Sequence, residues 1–292
     1  MKRALAIVAL LAACEGDFVP GSTITELRVL GAILETEPGR VDVQSGAELT
    51  TTFLVSAPNA APRGTLFVLA CEEGNVDPQR GPLCASPAFA AESLLIEEDD
   101  PAITLRVPAI AGRFLLQGVA CAEGLPVDTG RIGEDGFIPD DVCTGEAGNV
   151  FSLPIPVASD DWPNTNPDFG DAPLRIEGQR WDLEGGCGAP AERTISPGDI
   201  LEIDVGPVDE ANREETSAGE RERLLVSHFT TAGELDRQFS FVNDEDAESR
   251  VEWDAPLASE VSAEGVTVHF DFVLRDGRLG SDRIQRQLCV RP

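Results

Sequence analysis

Apolar side chains recur at every second position along most of the chain. Leu27-Arg28-Val29-Leu30-Gly31-Ala32-Ile33 and Leu49-Thr50-Thr51-Thr52-Phe53-Leu54-Val55 show this alternation, and Ile103-Thr104-Leu105-Arg106-Val107 repeats it cleanly. A period of two is the mark of a strand with one face buried. Thr65-Leu66-Phe67-Val68-Leu69-Ala70-Cys71 and Phe114 to Cys121 are apolar on both faces and predict central strands. Turns fall between the strands, at Glu37-Pro38-Gly39 and Ser45-Gly46. Phe151-Ser152-Leu153-Pro154-Ile155-Pro156-Val157 carries proline at alternate positions, which confines it to a sheet edge or to chain leaving the sheet, because proline has no N–H for the ladder.

A second run of strands follows: Leu174 to Trp181, Ile200 to Val205, Leu224 to Thr230, Gln238 to Val242, Val266 to Arg275 and Ile284 to Val290. No sustained helical stripe occurs, and Asp209 to Arg223, charged and broken by Gly219, predicts a surface loop. Between the runs, Ser159 to Ala172 is acidic and rich in Pro, Asn and Gly, as a domain boundary is. The pattern predicts an all-β chain of two antiparallel β-sandwiches in tandem, each of about seven strands. Residues 24–157 form the first domain, 158–172 an acidic Pro/Asn linker and 173–292 the second. A length of 292 residues suits two such domains.

The first fourteen residues follow another plan. Lys2 and Arg3 precede an apolar run, Ala4 to Leu11, that is too short to span a bilayer, and the segment closes on Leu11-Ala12-Ala13-Cys14. This layout is that of an export signal, residues 1–13, followed by a short tether, residues 14–23. Small residues before a cysteine behind an apolar run resemble the lipobox of bacterial lipoproteins. The resemblance implies that Cys14 is lipidated and becomes the new N-terminus. It also implies anchoring to the cell envelope, at the outer membrane.

The two strand blocks share a plan. Each opens on Leu-Arg (Leu27-Arg28, Leu174-Arg175), and the second closes on a long alternating strand, Val266 to Arg275, an Asp276-Gly277 turn and a strand ending Leu288-Cys289-Val290. This resembles the immunoglobulin-like and cadherin-like modules of exported lipoproteins, particularly those of myxobacterial type. The resemblance implies two immunoglobulin-like sandwiches. Leu279 stands where glycine is commoner in that pattern.

Charge narrows the partners. With 22 basic and 52 acidic residues the formal net charge is -30, so nucleic acid and anionic headgroups are repelled. Seven cysteines less Cys14 leave Cys71, Cys84, Cys121, Cys143, Cys187 and Cys289, an even set that predicts three disulfides in an exported chain. Local pairing (71 to 84, 121 to 143) with 187 to 289 would pin two loops and tie the ends of the second domain. A crossed arrangement, 71 to 121 with 84 to 143, fits the spacing as well. Loops pinned at one end of a sandwich are places for binding, and Arg131 to Asp141, rich in Gly and Asp, is the first candidate.

Candidate chemistry is sparse. His228 and His269 lie on strands, and neither belongs to a serine-nucleophile or zinc motif. No phosphate-cradling motif is present, so no catalytic residue and no cofactor is assigned. Calcium is the one candidate ion, because cadherin-like modules bind it between domains and the linker offers Asp160, Asp161, Asp168 and Asp171 as oxygen ligands. The expectation is a non-enzymatic, lipid-anchored envelope protein with a structural, adhesion or assembly role. It would meet the membrane through its lipid and other envelope or surface proteins through its domains. The alternative is a carbohydrate- or peptide-binding module that uses the pinned loops of the first domain.

Overall fold

A computed structural model describes residues 21–292 apart from 59–61, 78–80, 86, 98–99, 111, 134–135, 140, 145–147, 158–163, 172–173, 183–184, 191, 209–211 and 216–218. The signal segment, Cys14, and Asp160 and Asp161 of the linker lie outside the described residues.

Among the described residues eight strands build the first sandwich: β1 (Arg28–Glu35), β2 (Glu48–Ser56), β3 (Gly64–Asp77), β4 (Gly81–Cys84), β5 (Ala90–Ile96), β6 (Ala102–Arg106), β7 (Gly112–Ala122) and β8 (Asn149–Val157). One sheet runs β1-β2-β6 and the other β4-β3-β7-β8, with β5 on the first half of β3. All pairings are antiparallel. The alternation puts Leu49, Phe53 and Val55 of β2 against Leu66, Phe114 and Leu116 of the facing sheet, and these residues form the core. Pro154 and Pro156 sit on β8, which ends its sheet, so neither removes an interior ladder bond.

The second sandwich contains β9 (Leu174–Ile176), β10 (Gln179–Arg180), β11 (Thr194–Ile195), β12 (Ile200–Val205), β13 (Leu224–Thr230), β14 (Glu234–Leu235), β15 (Phe239–Val242), β16 (Ser249–Asp254), β17 (Val266–Arg275) and β18 (Ser281–Val290). Its sheets run β10-β9-β12-β16-β14 and β11-β18-β17-β13-β15. Only β11, beside β18, pairs in parallel among the named strands. Trp181, Trp253, Phe270 and Phe272 fill the middle, their rings meeting edge to face except for the stacked pair Phe270 and Phe272.

Both sandwiches use one topology. β1, β2 and β6 take the places of immunoglobulin strands A, B and E, and β3, β7 and β8 those of C, F and G, with β5 as the extra edge strand beside C. In the second sandwich β9, β12 and β16, then β13, β17 and β18, with β15 at the edge, repeat the order. The chain is therefore all-β, two immunoglobulin-like sandwiches in tandem.

Two local features depart from the sequence expectation. The run Leu174 to Trp181 is not one strand but the tight hairpin of β9 and β10, because Glu177 (φ 52) and Gly178 (φ 69) both turn left-handed. Leu279, in the turn between β17 and β18, has φ 84, a conformation costly for any residue but glycine. Its side chain packs on the core of the first sandwich, which explains why a leucine is held there.

The N-terminal segment joins the second sandwich before it enters the first. Ser22 O accepts from Thr230 N at 2.9 Å and Ile24 N donates to Thr230 O at 2.8 Å, a parallel bridge at the end of β13.

Candidate functional site

The disulfides join Cys71 to Cys84, Cys121 to Cys143 and Cys187 to Cys289. Three such bonds belong to an oxidising compartment and so to an exported protein. No helix among the described residues is long and apolar enough to cross a membrane.

The first two bonds organise one face. On the outer side of the first sandwich's second sheet, Phe67, Leu69 and Cys71 of β3 lie beside Leu115, Val119 and Cys121 of β7. An apolar sheet face needs a cover, and the segment after Cys121 supplies one. Leu125, Val127, Ile132, Ile138 and Val142 pack down on it, and Cys143 closes the end. The buried Gln117 amide donates to Gly136 O, and Asp128 N donates to Val142 O at 2.9 Å. Gly136 adopts φ 73, and a β-carbon there would strike the Cys84 sulfur and the Gln117 side chain, so only glycine lets the segment lie this close. At the rim Arg131 clamps Asp141 with two bonds of 2.7 and 2.8 Å, which holds the Asp141 carboxyl below its ordinary range. The sequence marked Arg131 to Asp141 as a binding loop. The described part of it is a packed lid on hydrophobic side chains, and its composition gave no sign of this because the anchoring residues are few and widely spaced.

Open space lies elsewhere on the first sandwich. A cleft of about 600 Å³ at its strand ends is lined by Arg63, Thr65, Leu95, Glu97, Asp100 and Glu123. A smaller groove of about 230 Å³ runs between β5 and β6 over Val68, Phe89, Ile103 and Leu105. The cleft sets one cation among three carboxylates, and Leu95 beside them is 72% exposed.

The most built polar site is the seam between the sandwiches. The outer face of β17, β18 and β13 lies on the outer face of β1 and β2, where Ile24, Leu30, Leu54 and Val273 form a small buried cluster. Asp271 interrupts the apolar run of β17 at 1% exposure and accepts from Ser56 Oγ of the first sandwich at 2.7 Å and from Gln285 Nε2 at 2.8 Å. Arg283 reaches across to Asp100 and donates to Val55 O at 3.2 Å, while Asp100 accepts from Val55 N at 3.0 Å. Burial raises the Asp100 pKa, and the neighbouring Asp271 charge adds to the rise against the pull of Arg283. Arg275 donates to Leu30 O at 2.6 Å.

The linker is stitched to both sides of this seam. Asn164 accepts from Val41 N at 2.9 Å and donates through Nδ2 to Asp276 at 2.9 Å. Asn166 donates to Leu34 O at 3.0 Å and accepts from Ser281 N at 3.0 Å. The linker's Pro- and Asn-rich composition reads as a spacer, yet Asn166 connects both sides through its side chain and Asn164 does so with its backbone on one side and its side chain on the other.

Of the linker aspartates, Asp168 accepts from Gly170 N at 2.6 Å within its own turn and Asp171 is exposed. Among the described residues no group of three or more His, Cys, Asp or Glu is placed to hold a metal ion. His228 is wholly buried in the second sandwich, with Nε2 2.8 Å from Ser249 Oγ, and burial lowers its pKa to about 4. Burial also lowers the pKa of His269. The seam residues Ser56, Asp100, Asp271 and Arg283 escaped the sequence reading. One signal was available, an aspartate inside the apolar run Phe270 to Leu274.

No protein-family model matches the chain, and no curated protein matches it in sequence. Solved structures with some likeness include Escherichia coli alpha-2-macroglobulin activated by porcine elastase, at 12% identity and a TM-score of 0.25, covering 91% of this chain and 22% of that one. The FN1-FN3 domains of chicken CNTN1 align at 9% identity and a TM-score of 0.24, over 93% of this chain and 68% of that one. The two tandem V-type regions of VCBP3, a v-region-containing chitin binding protein, align at 9% and 0.28, over 92% and 100%. This chain thus spans about a fifth of the first of these, and scores so low carry nothing over to its function.

Proposed function

We propose that this is a lipid-anchored protein of the bacterial cell envelope, held at Cys14. Its two sandwiches would act as one rigid element in adhesion, envelope structure or assembly with other surface proteins. The observation that carries this reading is the seam: a buried cluster, the Arg283 and Asp100 pair, and a linker bonded on both sides hold the sandwiches at one angle. A module that works by opening and closing would keep such an interface small and wet. Three disulfides fit the exported setting, and the role is non-enzymatic. Stable attachment requires more than one acyl chain, which a lipoprotein-type Cys14 carries.

Mass spectrometry of the protein from its own membranes tests the anchor, and an unmodified Cys14 refutes it. Co-purification from detergent tests the role, with a stoichiometric protein partner as the expected result. The cleft beside Leu95 and Glu123 favours a second reading, an extended peptide or glycan bound at the end of the first sandwich. Glycan-array binding abolished by Leu95→Asp would move the function there.

A further inference from the structure

The chain that follows Cys14 enters the fold beside an aromatic patch. Arg28 donates to Gly21 O at 2.7 Å, and a β-carbon on Gly21 would lie 3.4 Å from the Gln238 side chain, so the described chain begins at the foot of β15. The next residue along that strand, Phe239, is 53% exposed and Phe241 is 37% exposed, with ring centroids 5.8 Å apart. The Arg223 guanidinium lies 3.4 Å from the centre of the Phe241 ring. Phe239 and Phe241 stand opposite Ser227 and Leu225, whose neighbours Leu224 and Val226 point into the core, so both rings lie on the outer face of their sheet. The first sandwich covers that face at Phe229 and Val273, and the cover stops short of the two rings.

Reach and chemistry choose the partner. The covalent path from Cys14 to Gly21 spans at most about 25 Å when fully extended. With its acyl chains in a bilayer, Cys14 would hold the foot of β15 within that distance of the membrane. Exposed phenylalanine rings with an arginine at their rim suit the boundary between headgroups and hydrocarbon, where the rings can enter and a guanidinium can meet phosphate. Arg223 supplies that cation, since Arg237 is already paired with Asp236. The net charge of -30, and the exposed Asp244, Glu245 and Asp246 just past β15, oppose an anionic surface and leave a zwitterionic one. Resting on the lipid anchor argued above, we propose that Phe239 and Phe241 dock on a zwitterionic phospholipid surface and make the second sandwich the membrane-facing one. Two rings bury too little apolar surface to hold a free protein on a bilayer, but a short tether presents them at an effective concentration in roughly the millimolar range. Docking thus follows anchoring, and it fixes an orientation that a lone lipid would leave free to swivel.

Six of the seven cysteines lie in disulfides, so a chain starting at Cys14 can be coupled through that thiol to a maleimide phospholipid in phosphatidylcholine vesicles. Quenching of tryptophan emission by brominated phosphatidylcholine then reads contact with the bilayer. Phe239→Trp should be quenched severalfold more than the parent chain, in which Trp181 and Trp253 are buried. Phe89→Trp, beside β5 on the sheet turned away from the seam, should match the parent. Adding Phe241→Lys to Phe239→Trp should abolish the extra quenching, and Phe241→Trp reads the same face if Phe239→Trp does not fold. Both tryptophan variants of β15 unquenched, equal quenching at Phe89→Trp, quenching that survives Phe241→Lys, or association of anchored copies that shields the face would overturn the proposal. Because the coupling imposes the anchor, these outcomes judge the docking alone, whereas an unmodified Cys14 in native membranes judges the anchor.

Discussion

Arg283 of the second sandwich is the counter-charge of Asp100 in the first, and the two side chains are only 14% and 16% exposed. Arg283 also lies 3.8 Å from the buried Asp271, so one cation serves two carboxylates across the seam. Removing the cation and removing an acid are therefore unequal changes. Arg283→Ala strands two buried carboxylates and should cost about 3 to 5 kcal/mol, the range for breaking one side of a buried pair. Asp100→Asn, which retains an oxygen for Val55 N and removes a charge that burial already disfavours, should cost clearly less. Denaturant unfolding of both variants checks this order, and equal losses would mean that the pair is not what holds the seam.

His228 sets an acid limit. Its pKa is 6.5 when unfolded and about 4 in the core, chiefly because burial penalises the charged ring. The unfolded chain therefore takes up this proton first, and stability falls as pH drops from 6.5 to 4, by about 3 kcal/mol at roughly 1.4 kcal/mol per pKa unit. His228→Gln has no ring to take up that proton. The stability of the native chain minus that of the variant should be larger at pH 7 than at pH 4, whatever the acidic groups contribute to both. A difference independent of pH would place the titration elsewhere.

The lid over β3 and β7 predicts different consequences for different disulfides. Cys187 and Cys289 are 102 residues apart and Cys121 and Cys143 are 22 apart. By loop closure alone their removal costs about 4.7 and about 3.4 kcal/mol. Only the second frees a cover from apolar side chains. Cys121→Ser with Cys143→Ser should bind a hydrophobic dye at temperatures where the chain is still folded, whereas Cys187→Ser with Cys289→Ser should not. Dye fluorescence alongside circular dichroism makes the comparison.

Leu279 carries a backbone cost of about 1 to 2 kcal/mol for a left-handed leucine, set against its contact with the first core. Leu279→Ala keeps the strain and loses the contact. Leu279→Gly loses both. Urea midpoints should therefore show the alanine variant as the less stable of the two, the reverse of what helix or strand propensity scales would suggest. The opposite order would show that the backbone cost is negligible here.

The strands were legible where apolar and polar side chains alternate in a regular beat, as Ile103 and Leu105 do with Thr104 and Arg106, whereas β16 (Ser249–Asp254) has the same beat through Val251 and Trp253 and was passed over because it is short and set among charged residues. Thr65 to Cys71 could be read as covered on both faces, but nothing local said that the outer cover was the segment 125–143. The seam was the least legible part. Ser56 comes from β2, Asp100 from the turn before β6, and Asp271 and Arg283 from the paired strands β17 and β18, and each is an ordinary residue until the sandwiches meet. Leu279 and Asp271, the two that broke a local rule, both proved to touch the other sandwich.

The two hydrogen bonds that Thr230 makes, donating to Ser22 O and accepting from Ile24 N, decide where tension enters the molecule. A pull on the chain at Gly21 arrives first at the end of β13 in the second sandwich. It loads β13 and the buried side chain of Ile24 together, instead of peeling β1 from one end. Each sandwich is thereby sheltered from being unravelled strand by strand, and the weakest link under load is the short join at Thr230.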